Sequence, residues 1–229
     1  RLAKVPVQIG SSVNAAPIPA NSNVGRTVGY IAVSTAMLGV STAIASIALW
    51  PSYSSVSLIV LVAVTFTAAV AIAILGAVFR WSSLIVLLAT LGAYLLLGVP
   101  LAVPDLAQWR VLPSLPGLQE LVIGTATSWK QLLTISLPVG DYQSLLIPAF
   151  ILILVSVVVS LTVALRSNVP DLAVLGPISV FLVGILFGPE SALWPFPVAI
   201  SLTAAILVWL IWIRWYRRRE SIRLLSARE

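Results

Sequence analysis

Residues Ser57–Phe79 read SLIVLVAVTFTAAVAIAILGAVF, a continuous apolar run without a charged side chain. At 1.5 Å per residue, a helix of about 20 residues crosses the ~30 Å hydrocarbon core of a bilayer. Inside lipid every backbone N–H and C=O needs a partner within its own segment, so the run predicts a transmembrane helix. It also lacks the alternation of apolar and polar residues that is typical of a membrane β-barrel strand.

Five further apolar runs of similar length lie on either side of this one. The six segments are Thr27–Trp50, Ser57–Phe79, Trp81–Pro100, Ser144–Leu165, Pro170–Gly188 and Trp194–Ile213. Of the 229 residues 60% are apolar and only 9% are charged, which leaves too little polar surface to cover a soluble globule. The sequence therefore predicts an all-α fold, a polytopic membrane helix bundle of six transmembrane helices. It excludes a soluble enzyme, a disordered protein and a DNA-binding domain.

The positive charges predict the orientation of the bundle. Threading six spans places all but two of the 13 Lys and Arg residues on one side, the exceptions being Arg110 and Lys130. Because cytoplasmic loops of membrane proteins carry an excess of Lys and Arg, we expect a multi-pass protein of the plasma (inner) membrane. Both termini would lie in the cytoplasm.

The remaining segments complete the predicted organisation. Residues 1–26 are polar and contain three prolines, which predicts a flexible cytoplasmic tail. Helices 1–3 occupy 27–100, an extracytoplasmic loop occupies 101–143, helices 4–6 occupy 144–213, and a basic cytoplasmic tail occupies 214–229. Within the loop, a helical spacing predicts one outer amphipathic surface helix, resting on the outer leaflet or capping the bundle. Its apolar face would hold Leu118, Leu121, Val122, Thr125, Trp129, Leu132 and Leu133.

The residues that usually carry chemistry are scarce. The chain has no cysteine and no histidine, which excludes thiol catalysis, Cys/His metal sites and a Ser-His-Asp triad built from this chain alone. All seven acidic residues fall in predicted loops or at helix ends, whereas proton pumps and ion-coupled transporters normally carry a charged group in mid-span. We therefore expect no catalytic, cofactor or metal site in this chain, and a role other than that of an enzyme.

Two surfaces are candidates for contacts. The outer loop offers a docking surface formed by Trp109, Trp129 and Lys130. The end of the last helix offers a contact for anionic lipid, where each cation contributes about 1 kcal/mol; its residues are Arg214, Arg217, Arg218 and Arg219. Interfacial aromatic anchoring and a plain topology anchor explain the same residues, so both interpretations stay open.

Small residues and one Gly-Pro pair predict how the helices pack. The first helix carries a stripe of small residues, namely Ala32, Ala36, Gly39, Ala43 and Ser46, and the second carries Ala69, Ala73 and Gly76. Such faces let membrane helices approach closely, either within the bundle or against a partner. The pair Gly176-Pro177 is expected to kink or locally break the fifth helix.

The stretch from Leu118 to Gly188 resembles a known family. The residues that carry the resemblance are Trp129-Lys130-Gln131-Leu132-Leu133-Thr134, Leu137-Pro138-Val139-Gly140-Asp141-Tyr142, a span that closes at Arg166, Asn168-Val169-Pro170, and Gly184-Ile185-Leu186-Phe187-Gly188-Pro189. The order of these motifs and spans is similar to that in the N-terminal membrane region of TgpA-like transglutaminase membrane proteins, particularly actinobacterial ones. The resemblance implies an extracytoplasmic transglutaminase-like domain after several helices, with acyl transfer by a Cys-His-Asp triad. No triad residue can be carried over to this chain, which has no Cys and no His.

The expected function follows from these points. The first hypothesis is a non-catalytic integral-membrane domain that anchors and orients an extracytoplasmic transglutaminase-like module absent from residues 1–229. The resemblance also implies a MoxR-type ATPase and a DUF58-type protein as partners, besides the lipid bilayer. An accessory subunit of a larger membrane protein complex fits the small-residue faces equally well. A transporter for an apolar solute is a third hypothesis, and it would require a central cavity.

Overall fold

A computed structural model describes residues 20–108, 112–134, 145–188 and 195–226, and the described part of the chain is helical with one isolated bridge between Gln108 and Leu112. The α-helices are α1 (Ala20–Ser46), α2 (Trp50–Tyr53), α3 (Val56–Val78), α4 (Ser83–Ala102), α5 (Leu115–Thr134), α6 (Ile147–Arg166), α7 (Leu175–Leu186) and α8 (Pro195–Ser226). Short 3-10 helices cover Ile47–Leu49, Pro104–Leu106 and Pro170–Val174. The predicted all-α bundle is confirmed. The predicted flexible tail of residues 1–26 lies mostly outside the described residues.

Five helical segments in the described ranges are long and apolar enough to cross a membrane: Val28–Tyr53, Val56–Val78, Ser83–Ala102, Ile147–Arg166 and Phe196–Arg218. The predicted fifth span is instead a shorter apolar helical segment, Pro170–Leu186. Because its first five residues are 3-10 helix, with a larger rise per residue, the segment is about 28 Å long. The coarser prediction of a membrane helix bundle therefore holds, and the sixth crossing stays a prediction.

The two ends of the Pro170–Leu186 segment lie at opposite ends of the bundle. Near its start, Asp171 Oδ2 lies 3.4 Å from Nη2 of Arg214. Beyond its end, the Phe187 carbonyl accepts a 3.4 Å hydrogen bond from Ser52 Oγ. Ser52 lies near the end of the apolar span Val28–Tyr53, and Arg214 lies near the end of the apolar span Phe196–Arg218. This short segment therefore covers the same height of the bundle as its longer neighbours.

The predicted break in this segment lies at the start of α7. The helix changes from 3-10 to α between Val174 and Leu175, so that Pro177 falls in the first turn of α7. Proline has no N–H to donate to the carbonyl of Ala173, and its ring clashes with that carbonyl in a regular α-helix. The residues before Pro177 therefore adopt the tighter helix.

Helix α6 occupies the centre of the bundle. Two thirds of its apolar window (67%) is buried, compared with 17–33% for the other four long segments. It contacts α1, α3, α4, α5 and α7, and its side chains Phe150, Ile153, Val157 and Leu161 are fully buried. A helix that is apolar around its whole circumference suits such a position, while the surrounding helices expose apolar side chains as lipid-facing residues do.

Cationic side chains collect at one end of the bundle. The Tyr30 hydroxyl, near the start of α1, donates to the Ala164 carbonyl near the end of α6 at 3.0 Å, and Arg217 donates to the Asn168 carbonyl at 3.1 Å. The first turn of α4 and Arg166 line one groove, which brings the turn containing Arg80 to the same end. We call this the basic end; its described cations are Arg80, Arg166, Arg214, Arg217 and Arg218. The predicted placement of this end in the cytoplasm stays a prediction.

Candidate functional site

The predicted outer docking surface is only partly present as an open surface. Trp109 lies outside the described residues. Trp129, on α5, is half-buried and packs edge-on against the ring of Phe187, with the centroids 5.6 Å apart. Lys130, the next residue, is exposed. The indole of Trp129 therefore holds α5 against the end of the α7 segment, and Lys130 is the exposed member of the set.

Helix α5 confirms the predicted surface helix but turns a different face to the bundle. Its buried residues recur every three or four positions and contact α4 and α6; they are Gly117, Leu121, Gly124, Ser128 and Leu132. Val122 and Thr125 were expected on the packed face and are instead exposed, Val122 to 60%. Two glycines and a serine let the backbone of α5 approach its neighbours closely, an effect that a ranking of residues by hydrophobicity does not capture. The Tyr94 hydroxyl of α4 reinforces the contact by donating to the Leu121 carbonyl at 3.2 Å.

The predicted lipid-contact arginines also form contacts within the chain. Arg214 makes the ion pair with Asp171, and Arg217 binds the Asn168 carbonyl, so both fasten α8 to the loop after α6. Arg218 is exposed. Arg219 belongs to α8, but its side chain lies outside the described residues. Arg214 keeps 66% of its side chain exposed, so its pairing leaves it accessible to headgroups.

An aromatic cluster at the basic end was missed by the sequence interpretation. The ring of Tyr30 stacks on Trp212 at 5.4 Å and meets Tyr216 at 5.0 Å, and Trp212 and Tyr216 are 5.5 Å apart. Each such pair contributes about 0.5–1.5 kcal/mol beyond its buried area. Trp212 and Tyr216 are separated from Tyr30 by more than 180 positions, so nothing in the sequence spacing paired them.

The two small-residue stripes have different roles. In α3 the stripe is buried inside the bundle, and a Cβ placed on Gly76 would lie 3.0 Å from Val86 Cγ2 of α4. In α1, by contrast, Ala32, Ala36 and Ala43 are exposed. Beside them, a lateral apolar groove of about 600 Å³ runs between α1 and α3, and Gly39, Ala43 and Ala63 are among its walls. We call it the α1–α3 groove. The α1 stripe is thus available for contact outside the described chain.

The described interior contains hydroxyl groups but no charged side chain. Several buried hydroxyls have no hydrogen-bond partner within the described residues; they include those of Thr35, Ser41, Thr42, Thr65, Ser156, Ser160 and Thr162. In the same ranges, no cluster of three or more Asp, Glu, Cys or His residues could hold a metal ion. These hydroxyls are neutral and lie among the packed helices. The polar groups of the described interior are therefore those of a packed core and not those of a charged site.

Comparisons with protein-family models, with curated proteins and with solved structures gave no match for this chain. The resemblance to TgpA-like proteins therefore rests on the quoted residues alone and stays a prediction.

Proposed function

We propose that this chain is a non-catalytic integral-membrane domain that anchors and orients an extracytoplasmic transglutaminase-like module. The observation that carries the anchoring part is the position of α6, whose buried surface fills the centre of the described bundle. A bundle built around a packed helix is rigid, because close-packed interiors transmit load and resist deformation. Rigidity of this kind suits a support for a domain outside the membrane.

The identity of the supported module is the finer part of the proposal. It follows from the resemblance between Leu118 and Gly188, as do the MoxR-type ATPase and the DUF58-type protein as partners. In the proposed arrangement, the exposed Lys130 of α5 faces the module, while the basic end faces the cytoplasmic partners.

The position of α6 also separates the proposal from the transporter hypothesis. A transporter for an apolar solute needs a path along the bundle axis, and α6 occupies that axis in the described part of the chain. The larger described groove lies between α1 and α3 and opens at the side of the bundle. The geometry therefore favours a support over a conduit.

The anchoring proposal is tested on the native polypeptide. The protein is immunopurified from the membranes of its own cells, and its intact mass and peptide map are measured. We expect a polypeptide heavier than the 24.3 kDa of these residues, with peptides from a downstream transglutaminase-like domain. A native chain that ends near Glu229, in a gene that encodes no such domain, would refute the catalytic half of the proposal.

A second candidate function, an accessory subunit of a membrane complex, is favoured by the exposed stripe on α1. Membrane helices associate through small residues, and Ala36 lies in the middle of that stripe. We expect a partner to co-purify with the wild-type chain in fixed stoichiometry after mild detergent extraction. We expect Ala36→Leu to abolish this co-purification. Ala71→Leu is the matched control, because Ala71 is an exposed alanine of α3 that does not line the α1–α3 groove. Equal loss of the partner in both variants, or a wild-type chain that purifies alone, would contradict this function.

A further inference from the structure

A second lateral groove, of about 260 Å³, lies between α4 and α6 and ends at the basic end of the bundle. Ten residues line it, and four of them are valines of α6: Val155, Val158, Val159 and Val163. Valine side chains are shorter than those of leucine, so this face of α6 leaves an open channel beside α4. Val155 and Val159 are 46% and 53% exposed, which shows that the channel opens toward the surroundings of the bundle.

The length of this α4–α6 groove matches one leaflet of a bilayer. Its lining on α6 extends from Val155 to Arg166, a separation of eleven positions or about 16 Å of helix. Half of the ~30 Å hydrocarbon core is about 15 Å. An acyl chain that entered at the basic end would therefore reach the bottom of the groove near the bilayer centre.

The mouth of the groove is positively charged. Arg166, the last residue of α6, is exposed there and forms no ion pair within the described part of the chain. Ser83, the first residue of α4, lies on the opposite wall. The first amides of a helix have no intrahelical acceptor and carry partial positive charge. Arg166 and the start of α4 thus present charge of the same sign on both sides of the opening.

We infer that the α4–α6 groove is a binding site for an anionic phospholipid, with one acyl chain against the valines of α6 and the phosphate at Arg166. The groove supplies an apolar wall of leaflet depth, and the mouth supplies the charge that complements a phosphodiester. The inference is independent of the proposed function, and the site is separate from the arginines of α8.

Phospholipid fits this surface better than a free phosphate or a protein helix. A free phosphate would use Arg166 but would leave the apolar wall uncovered. A protein helix is about 10 Å wide with its side chains, so it would lie across the groove, whereas an acyl chain can lie along it beside the valines. The α1–α3 groove has no cation among its lining residues and serves as an internal control.

The test uses the full chain in lipid nanodiscs and takes advantage of the absence of cysteine. A bimane label is placed at Leu84→Cys, an exposed position next to the mouth, or at Ile59→Cys, in the α1–α3 groove. Quenching by spin-labelled phosphatidylglycerol is compared with quenching by spin-labelled phosphatidylcholine at equal mole fraction. At Leu84→Cys we expect about a fivefold preference for phosphatidylglycerol, the effect of one arginine near the surface. At Ile59→Cys we expect no preference.

Four variants separate the charged part of the site from its apolar part. Arg166→Gln is expected to abolish the preference, and Arg166→Lys to restore most of it, which also shows that position 166 tolerates substitution. Val159→Phe fills the groove and is expected to reduce quenching by both lipids at Leu84→Cys. Arg218→Gln, which removes a charge from the same end but not from the groove, is expected to leave the preference intact.

Several results would overturn the inference. It fails if the preference persists in Arg166→Gln, or if Arg218→Gln abolishes it equally, because a general surface field would then explain the binding. It also fails if Val159→Phe leaves quenching unchanged, or if millimolar inorganic phosphate removes the preference, since the acyl chain would then have no part. Weaker quenching at Leu84→Cys than at Ile59→Cys with both lipids would indicate a protein in the groove.

Discussion

Gly176 of α7 packs tightly against α6, and Gly176→Ala tests the packing of the short α7 segment. A Cβ at this position would overlap Ser160 Oγ and would lie 2.8 Å from the carbonyl oxygen of Ser156. The Ser160 hydroxyl can rotate away, but the Ser156 carbonyl belongs to the backbone of the central helix. Because ordinary carbon–oxygen contacts are about 3.3–3.6 Å, α7 must move outward by roughly 0.5–0.8 Å.

The expected cost of this substitution follows from the displacement. A gap of this size forfeits a quarter to a half of the dispersion attraction at each affected contact, and overpacked sites typically lose about 1–3 kcal/mol. The higher helix propensity of alanine offsets up to about 1 kcal/mol. We therefore expect Gly176→Ala to lower the apparent melting temperature, measured by size-exclusion chromatography of heated, detergent-solubilised protein.

Gly92→Ala on α4 is the matched control for Gly176→Ala, since a Cβ there has no heavy atom within 4 Å. We expect it to leave the melting temperature unchanged or slightly higher. Adding Ser160→Ala to Gly176→Ala should recover only part of the loss, because the Ser156 carbonyl stays in place. If Gly176→Ala behaves like Gly92→Ala, α7 is not packed against α6 as described.

Three other predictions follow from contacts described above. Tyr53→Phe removes the 3.1 Å hydrogen bond from the Tyr53 hydroxyl to the Leu145 carbonyl and leaves that carbonyl unsatisfied in a buried site. We expect a loss of about 1–3 kcal/mol of folding stability, seen as a lower melting temperature in thermal-shift measurements. An unchanged melting temperature would show that water or another donor replaces the hydroxyl. Asp171→Ala should lower the folding stability by less than about 1 kcal/mol, because its partner Arg214 is largely exposed. A larger coupling energy in a double-mutant cycle with Arg214→Ala would contradict this exposed geometry. On intact cells, a membrane-impermeant maleimide should label Lys130→Cys but not Arg218→Cys, and labelling of both would disprove the predicted orientation.

Much of the fold was predictable because hydrophobic length is a local property. The boundaries of α3, α4 and α6 follow from runs of uncharged residues, and the break before Pro177 follows from the chemistry of proline. The packed face of α5 was predicted less well. Gly124 and Ser128 are buried there because they are small, whereas Val122 is exposed although it is apolar. Whether a small residue is buried by close approach of two backbones depends on the neighbouring helix. The residue pattern of a single segment contains no information about that neighbour.

The sequence indicated the candidate contact surfaces only through the types of residue they contain. The arginines of the last helix indicated an interface with anionic lipid, yet the ion pair of Arg214 with Asp171 depends on the path of the Pro170–Leu186 segment. Arg166 was noted in the sequence only as a positive charge and as the end of a span. Its position at the mouth of a valine-lined groove arises from the antiparallel packing of α4 against α6, which brings residues from 83 and 166 together.

The stacking of Tyr30 on Trp212 and Tyr216 has a consequence for biosynthesis. It joins α1 to α8, so Tyr30 leaves the ribosome more than 180 residues before the rings it stacks on. Contacts of such large sequence separation close late, because the loop between them must be ordered first. The Tyr30 face of the nascent protein therefore stays open to lipid or to a chaperone until α8 has been inserted.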